Sequence, residues 1–472
     1  MNSSRSTDAG APGASAPTDH PVRQRDLRIA VVTLGCPKNE VDSEVLLAQL
    51  EDAGYALVID PVAADLTIVN TCAFIEEAER ESIETILGLA RERGPKGLLL
   101  VAGCLAERHG AELLREIPEI DGLLGPGRLD EVPALVEAVR EGGGERIRLG
   151  RLDRRQSWQR RLRVGPPHIA YVKIAEGCDH RCRFCLIPRL RGPLRSRRAD
   201  EILAEVRALG EEGVREVVLV AQDTTAYGRD LQPGDSLASL LRRLLEEPGP
   251  EWIRLLYTHP ELWDDELIEL CAAGGRLLPY IDLPIQHASD AVLRTMGRGS
   301  TAAGLAGLIE RLRTRIPRAI LRTTVITGHP GEGEAEFAQL REFLQEFPFD
   351  RLGVFAYSPV AETLSASAPG RPCGRLAEER RQALLELQRP IALSRQRARR
   401  GERTEVLIDG LDPRREFLVG RSYGEAPEID GLVRVRLPES MSVAAVEPGT
   451  LCRVRIVGAG VYDLLAVAEG DV

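Results

Sequence analysis

The sequence predicts an α/β protein with three domains: an N-terminal βαβ domain, a partial (β/α)6 barrel and a small C-terminal β-barrel. Two patterns and the length predict this. Apolar strand-like runs alternate with amphipathic helix-like runs over most of the chain, which is typical of parallel βαβ sheets. From residue 397 onwards, strand patterns are short and no helical pattern separates them. The length of 472 residues also favours about three domains.

The first domain is predicted at residues 28–141. Three apolar runs, each followed by a helical pattern, end just before Cys36, Cys72 and Cys104: RIAVVTL, LTIVNT and LLLVAG. Open parallel sheets bind ligands beyond the carboxyl ends of their strands, so we expect the three thiols to converge. Any one of them alone would be interpreted as an ordinary core cysteine. Three at one sheet edge indicate a metal site.

A Gly- and Arg-rich stretch at 142–163, shortly followed by Pro166 and Pro167, is predicted to be a linker, and residues 164–395 a second domain. Its six strand candidates are HIAYVKIA, EVVLVA, WIRLLYT, YIDLPI, AILRTTVI and LGVFAYS. Six βα units suggest a barrel more open than an eight-stranded one, with its active site at the C-terminal face. Polar residues follow five strand ends and should ring that site: Gln222 and Asp223, Thr258 and His259, Gln286 and His287, Thr327 and His329, Tyr357 and Ser358.

The last domain is predicted at residues 397–472, where five short strand patterns suggest a small β-barrel: TEVLID, REFLVG, LVRVRL, LCRVRIV and VYDLLAVA.

Residues 1–27 are rich in Ser, Ala, Pro and Gly and contain no apolar segment, which predicts a disordered tail, not a secretory signal. No apolar run approaches the roughly 20 residues that span a bilayer, so no membrane association is expected. Cysteines placed for metal, without an export signal, indicate a reducing cytoplasm. Lysine occurs only at positions 38, 96 and 173, which we attribute to genomic base composition.

The strongest chemical motif is the loop GCDHRCRFC, which contains Cys178, Cys182 and Cys185. Zinc sites prefer paired C-x2-C motifs, and the sequence has no second pair, although a zinc site with an outside fourth ligand remains an alternative. Three inert core cysteines are a further alternative, which the charged residues of the loop disfavour. An iron–sulfur cube normally takes four thiolates, so three cysteines leave one iron open for chemistry.

The spacing C-x3-C-x2-C resembles the radical SAM superfamily, in which three thiolates hold a 4Fe–4S cluster and S-adenosylmethionine chelates the fourth iron. Together with the dispersed N-terminal cysteines and a TRAM-like C-terminal barrel, it resembles the methylthiotransferases of that superfamily over nearly everything after residue 27. The resemblance implies two 4Fe–4S clusters, with S-adenosylmethionine as cosubstrate. The implied metal ligands are Cys36, Cys72 and Cys104 for one cluster, and Cys178, Cys182 and Cys185 for the other. Gln222 and Asp223 are the candidates for binding S-adenosylmethionine.

One branch of that family, the MiaB type, modifies adenosine in tRNA, and another modifies an aspartate of ribosomal protein uS12. The segments GCPKNEVDSE (35–44) and GRSYGEAPEIDG (420–431) resemble the uS12 branch, because MiaB-type chains usually have GCQMN at the first. Charge favours the same branch. Residues 401–472 contain 8 Arg and 13 Asp or Glu, a net charge of −5, whereas a tRNA-binding barrel should be basic. We therefore expect Glu425, Glu428 and Asp430 to dock a basic ribosomal protein, the alternative being a merely solvated acidic surface.

The resemblance implies a transferase that cleaves S-adenosylmethionine after receiving an electron from reduced flavodoxin or ferredoxin. The resulting radical takes a hydrogen from the aspartate β-carbon, and the second cluster provides the sulfur, which a second S-adenosylmethionine methylates. No side-chain base could break an unactivated C–H bond at neutral pH, so no catalytic residue beyond the cluster ligands is assigned. Two other functions stay open. An iron–sulfur electron carrier does not explain the polar-lined barrel, and a tRNA adenosine methylthiotransferase of the MiaB type does not explain the acidic tail.

Overall fold

The computed structural model describes residues 25–94, 97–150, 160–414, 416–438 and 441–469. The disordered tail predicted at 1–27 falls almost wholly outside the described residues, as does the middle of the linker predicted at 142–163. No helix in the described ranges is long and apolar enough to cross a membrane.

The N-terminal domain is a parallel sheet with helices on both faces, as predicted. Its strands are β1 (Arg25–Thr33), β2 (Tyr55–Leu57), β3 (Leu66–Thr71), β4 (Leu98–Gly103), β5 (Gly122–Leu124) and β6 (Ile147–Arg148). Its helices are α1 (Pro37–Asp52), α2 (Glu76–Glu92), α3 (Cys104–Glu116) and α4 (Val132–Arg140). The strand order is β2-β1-β3-β4-β5-β6. Successive side chains of a strand point to opposite faces, so Ile68 packs with α1 and α4 while Val69 packs with α2 and α3.

The middle domain contains all six predicted strands in a parallel arc. Its strands are β7 (Ile169–Lys173), β8 (Ala175–Glu176), β9 (Arg195–Ser196), β10 (Glu216–Val220), β11 (Trp252–Leu255), β12 (Tyr280–Asp282), β13 (Ile320–Thr327) and β14 (Arg351–Ala356). Its helices are α5 (Ile187–Leu190), α6 (Ala199–Glu211), α7 (Leu237–Glu246), α8 (Asp265–Ala273), α9 (Asp290–Thr295), α10 (Ala302–Arg315), α11 (Glu334–Glu346) and α12 (Gly374–Ala398). The main strands pair as β7-β10-β11 and β12-β13-β14, and a bridge between Ile253 and Leu277 joins the two sets. The barrel is therefore partial, with β7 and β14 at the ends of the arc.

The C-terminal domain is a closed barrel, as predicted from its short strands. Its strands are β15 (Arg403–Leu411), β16 (Leu418–Arg421), β17 (Val433–Arg436), β18 (Leu451–Ala459) and β19 (Leu464–Ala468). They pair in the order β15-β16-β17-β19-β18, and β18 returns to pair with β15. Apolar and charged residues alternate along its strands, so one face fills the barrel interior: Val433 and Val435 point into the core while Arg434 and Arg436 are exposed.

Both outer domains pack against the inside of the partial barrel. One apolar cluster combines residues of α1, the barrel strands and the C-terminal domain, among them Val41, Tyr171, Val218, Tyr280, Leu407, Tyr423 and Ala426. A buried ion cluster adds charge pairing at the same boundary. Arg254 donates to Glu216 over 2.6 Å, and Arg421 of the C-terminal domain pairs with the same carboxylate. The three domains thus share buried surfaces.

This packing corrects our expectation for the acidic run at 425–430. Glu425 is fully buried and accepts hydrogen bonds from Arg399 over 2.9 Å and Arg351 over 3.1 Å. Asp430 accepts from the Tyr280 hydroxyl over 2.7 Å. Glu428 is the exposed member of the three. The prediction that this run forms an acidic docking surface is wrong for Glu425 and Asp430, because arginines and a tyrosine hydroxyl of the protein itself already hydrogen-bond to their carboxylates.

Candidate metal centres

The dispersed cysteines lie at one edge of the N-terminal sheet. Strands β1, β3 and β4 are parallel neighbours, and their ends are level, because Thr33 pairs with Asn70 and Asn70 with Ala102. Cys36 precedes α1, Cys72 follows β3 directly and Cys104 begins α3. The three thiols are close enough for Cys36 and Cys104 to contribute to the raised pKa of Cys72. The topology thus brings together residues that the sequence separates by more than 30 positions.

Two glycines permit this close approach. Gly35, before Cys36, has φ +91°, and a Cβ there would lie 2.5 Å from Cys72 Cβ. Gly103, before Cys104, has φ +90°, and its Cβ would lie 2.5 Å from Asn70 Oδ1. Side-chain-bearing residues rarely adopt this backbone conformation and would also clash here. Each glycine therefore lets a cysteine turn back toward the other thiols.

Lys38 distinguishes Cys36 from its two partners, since Arg191 acts on all three thiols. Burial alone would raise the pKa of Cys36, but the charges of Lys38 and Arg191 together with backbone N–H donors outweigh it, and the pKa is lowered. Burial raises the pKa of Cys72 to about 11 and also raises that of Cys104. A thiol that coordinates a metal is deprotonated, so cationic neighbours stabilise the form that binds. The charge around this triad suits an anionic cluster.

The compact triad lies in the loop between β8 and α5. The Cys178 N–H donates to Gly192 O over 2.9 Å, and the Arg183 N–H donates to Met296 O over 2.8 Å, which anchors the loop at two points. Burial raises the pKa of Cys178 to about 11 and that of Cys185 to about 12. Arg298 Nη1 lies 3.8 Å from Cys182 Sγ. A guanidinium thus contacts the middle thiol of the triad.

Two predicted strand-end sets lie beside this loop. The His180 ring stacks on the His259 ring with centroids 3.9 Å apart, and His180 Nε2 lies 2.6 Å from Asp223 Oδ2. Burial, with Arg298 and His180, lowers the pKa of His259 to about 2, so this ring is neutral at pH 7. Asp223 and His259 follow different strands, β10 and β11. Two of the five predicted strand-end sets therefore lie beside the cysteine loop, at the C-terminal face of the arc.

The other sets are divided between the loop and the packing of the barrel. His329 lies edge-on to Phe184 of the cysteine loop, with centroids 6.1 Å apart, and to Tyr357 at 5.1 Å. His287 is fully buried and its Nε2 lies 3.2 Å from Glu332. Thr327 donates its hydroxyl to Ala377 O over 2.9 Å. His287 and Thr327 are thus engaged in contacts that hold the barrel together.

Gln222 and Asp223 differ in whether they retain a side-chain oxygen that is free to accept a hydrogen bond. Gln222 Nε2 donates to Glu176 over 2.7 Å, while its Oε1 is buried without a hydrogen-bond partner among the residues that the structure describes. Both oxygens of Asp223 are engaged, one by His180 and the other by the N–H of Thr225. Gln222 therefore retains an acceptor for a ligand, whereas Asp223 orients His180.

A buried polar network that sequence reasoning missed connects the two triads. Arg191 donates to Asp42 over 2.9 Å, to Glu176 over 3.1 Å and to Asn39 over 2.7 Å. Lys173 pairs with Asp42 and donates to Glu176 over 2.7 Å. The scarcity of lysine could have drawn attention to this network, because a rare residue type marks few positions. Two of the chain's three lysines, Lys38 and Lys173, are buried at this boundary.

The donor set of each triad, three cysteine thiols, fits an iron–sulfur cluster. Within the described ranges, no three His, Cys, Asp or Glu side chains are placed to hold one metal ion. Thiolates that each bind a different iron of a cube need not converge on one point. Sets of three soft thiolates beside cations suit such a cluster.

Comparisons with known proteins agree with the three domains. Residues 28–125 match the uncharacterized protein family UPF0004, residues 172–344 the radical SAM superfamily and residues 401–468 the TRAM domain. A ribosomal protein uS12 methylthiotransferase RimO from Pelotomaculum thermopropionicum is 45% identical over 441 residues, which cover 93% of this chain and 98% of that protein. The RimO protein from Desulforudis audaxviator is 47% identical over 449 residues, 93% of this chain and 96% of that protein.

Among solved structures, a radical S-adenosylmethionine methyltransferase, TsrM from Kitasatospora setae, was determined with cobalamin and a 4Fe–4S cluster bound. It matches with a TM-score of 0.55 at 16% identity, over 72% of this chain and 77% of that chain. At this identity the likeness shows a shared fold.

Proposed function

The chain belongs to the RimO family of ribosomal protein uS12 methylthiotransferases, and on this premise we propose that it adds a methylthio group to the β-carbon of an aspartate in uS12. It is a radical SAM enzyme of the transferase class. The observation that carries the proposal is similarity at 45–47% identity over almost the whole length of such enzymes. The tRNA-modifying alternative has less support, since these relatives are all named for uS12.

Two 4Fe–4S clusters are part of this proposal, one held by Cys178, Cys182 and Cys185 and the other by Cys36, Cys72 and Cys104. When bound, the first cluster supplies reductive cleavage of S-adenosylmethionine to a carbon-centred radical, and the second supplies the sulfur to be transferred. The support is that each triad lies at the ligand-binding end of its own parallel sheet.

Residues of the barrel would bind S-adenosylmethionine and orient the cysteine loop that holds the first cluster. We propose that Gln222 Oε1, which is buried and unpaired in the described part of the barrel, accepts a hydrogen bond from the amine of S-adenosylmethionine. Asp223 fixes His180 against neutral His259. Arg298 contacts the thiol of Cys182 and places a positive charge beside the compact triad. These contacts hold the compact loop in one geometry before any ligand arrives, which reduces the cost of ordering it.

The partners follow from the same proposal. A reduced flavodoxin or ferredoxin delivers electrons, and uS12, free or within the small ribosomal subunit, is the substrate in the cytoplasm. Transfer RNA is not expected to bind well, because residues 401–472 carry a net charge of −5 and phosphate contacts require cations.

Mass spectrometry of uS12 and of tRNA from cells with and without the gene tests this function. We expect the methylthio mass on uS12 to disappear in the deletion strain and return with the wild-type gene, while tRNA modification stays the same. Loss of a methylthio group from tRNA with uS12 unchanged would instead establish the MiaB-type activity.

A further inference from the structure

Lys38 places a buried ammonium group between the two cysteine-bearing domains. It lies in the first turn of α1, two residues after Cys36, and is 8% exposed. Its Nζ lies 3.3 Å from the centroid of the Tyr257 ring, which follows β11 on the barrel. The side chain therefore reaches from the dispersed triad to the barrel face that bears the compact triad.

No carboxylate pairs with this buried ammonium. In the described ranges, no carboxylate lies within ion-pair distance of Lys38 Nζ, and Cys36 is the cluster ligand whose charge acts on it. Lys173, the other buried lysine, contacts both Asp42 and Glu176. An aromatic face compensates only part of the cost of burying a charge. Lys38 thus faces Cys36 on one side and has no carboxylate partner on the barrel side, where a substrate carboxylate could contact it.

The neighbouring cations cannot take this role. Arg191 donates through both terminal nitrogens to Asp42, Glu176 and Asn39. Lys173 is enclosed by carboxylates. Of these three basic side chains at the boundary, Lys38 is the one that no carboxylate of the described residues pairs with.

We propose that Lys38 binds the side-chain carboxylate of the substrate aspartate and so selects a carboxylate-bearing substrate. The inference rests on the proposed function, in which the reacting β-carbon carries that carboxylate. An ammonium–carboxylate contact would place this carbon at the boundary between the two triads. A nucleobase offers no carboxylate, so this contact favours an aspartate side chain over a nucleobase at the reacting position.

The test compares binding of two forms of uS12 to the anaerobically reconstituted enzyme, one with the target aspartate and one with asparagine in its place. Fluorescence anisotropy of labelled uS12 gives both dissociation constants. We expect the wild type to bind the aspartate form at least about tenfold more tightly, because a buried charge pair that loses one partner costs at least that much. Lys38→Met should bind both forms alike, whereas Lys38→Arg should retain part of the preference.

Arg28→Met is the matched control, since Arg28 pairs with Asp65 in an exposed position on β1, the strand that leads to Cys36. It should keep the full preference, and equal iron content and circular dichroism will show that each variant is folded. A wild type that binds both forms equally, or a folded Lys38→Met that keeps the preference, would overturn the inference. If Lys38→Met does not fold, the inference is tested by two other results: whether the wild type prefers the aspartate form, and whether Lys38→Arg retains part of that preference. Absence of binding and modification of either form by the wild type would overturn the proposed function itself.

Discussion

Arg191 donates a hydrogen bond to Asn39 over 2.7 Å and thereby joins the domain of the compact triad to that of the dispersed triad. Asn39 in turn donates to Leu34 O over 2.9 Å and to Thr71 O over 3.0 Å. These carbonyls lie just before Cys36 and Cys72. Arg191 of the barrel domain thus positions Asn39, and Asn39 in turn binds the backbone next to Cys36 and Cys72 in the other domain.

Replacing Arg191 with Met should destabilise the protein by about 3 kcal/mol, because Asp42 and Glu176 remain buried with less cationic charge between them. Denaturant unfolding of the reconstituted protein measures the free energy change. Arg28→Met removes an exposed ion pair and should leave the unfolding free energy close to that of the wild type. Similar losses in the two variants would show that the buried network contributes no more than a surface pair.

Replacing Cys178, Cys182 and Cys185 with Ala should halve the iron of reconstituted protein, from about eight atoms to about four. It should also abolish reductive formation of 5′-deoxyadenosine. Iron assay and chromatography of the reaction mixture measure the two effects. Cleavage of S-adenosylmethionine by this triple variant would mean that the compact loop does not hold the reactive cluster.

Replacing Cys36, Cys72 and Cys104 with Ala should also remove about half of the iron but leave 5′-deoxyadenosine formation, because these residues lie in a different domain. Methylthio transfer should be lost. Mass spectrometry of uS12 after incubation checks this, with the wild type as reference. Methylthiolated uS12 from the variant would exclude the dispersed triad as the source of sulfur.

Replacing Glu425 with Gln should lower stability by about 3 kcal/mol, because Arg351 and Arg399 then stay buried without their shared carboxylate. The two arginines also lower the pKa of Glu425 despite its burial. Glu428→Gln, three residues away and exposed, serves as the control and should have little effect. Thermal unfolding measures both. An equal, small effect of the two changes would contradict the structural role of Glu425.

Glu40 should make stability depend on pH. Burial, with Glu44 and Glu428, raises its pKa from 4.5 to about 7. The folded state then holds a proton that the unfolded state releases above pH 4.5, so this group lowers stability as pH rises towards about 7. Glu40→Gln should gain stability relative to the wild type over that window and show a constant difference at higher pH. Urea unfolding at several pH values checks this, and a difference independent of pH would contradict it.

Much of the fold could be predicted from local patterns. The six barrel strands and the short strands of the C-terminal domain were predicted correctly, because alternation and apolar runs are properties of neighbouring residues. The convergence of Cys36, Cys72 and Cys104 also followed, since parallel βαβ topology fixes which end of each strand meets the next. The spacing of Cys178, Cys182 and Cys185 needed no tertiary information at all.

Charge pairing between domains could not be predicted in this way. The sequence determined that residues 420–431 are acidic and resemble the uS12 branch, but only the tertiary structure decided that Glu425 meets Arg399 and Asp430 meets Tyr280. It likewise decided that Arg191 reaches Asn39 and that Lys38 lies on Tyr257. The partners in these contacts come from distant parts of the chain, and whether a charge is solvated or buried depends on what folding packs against it.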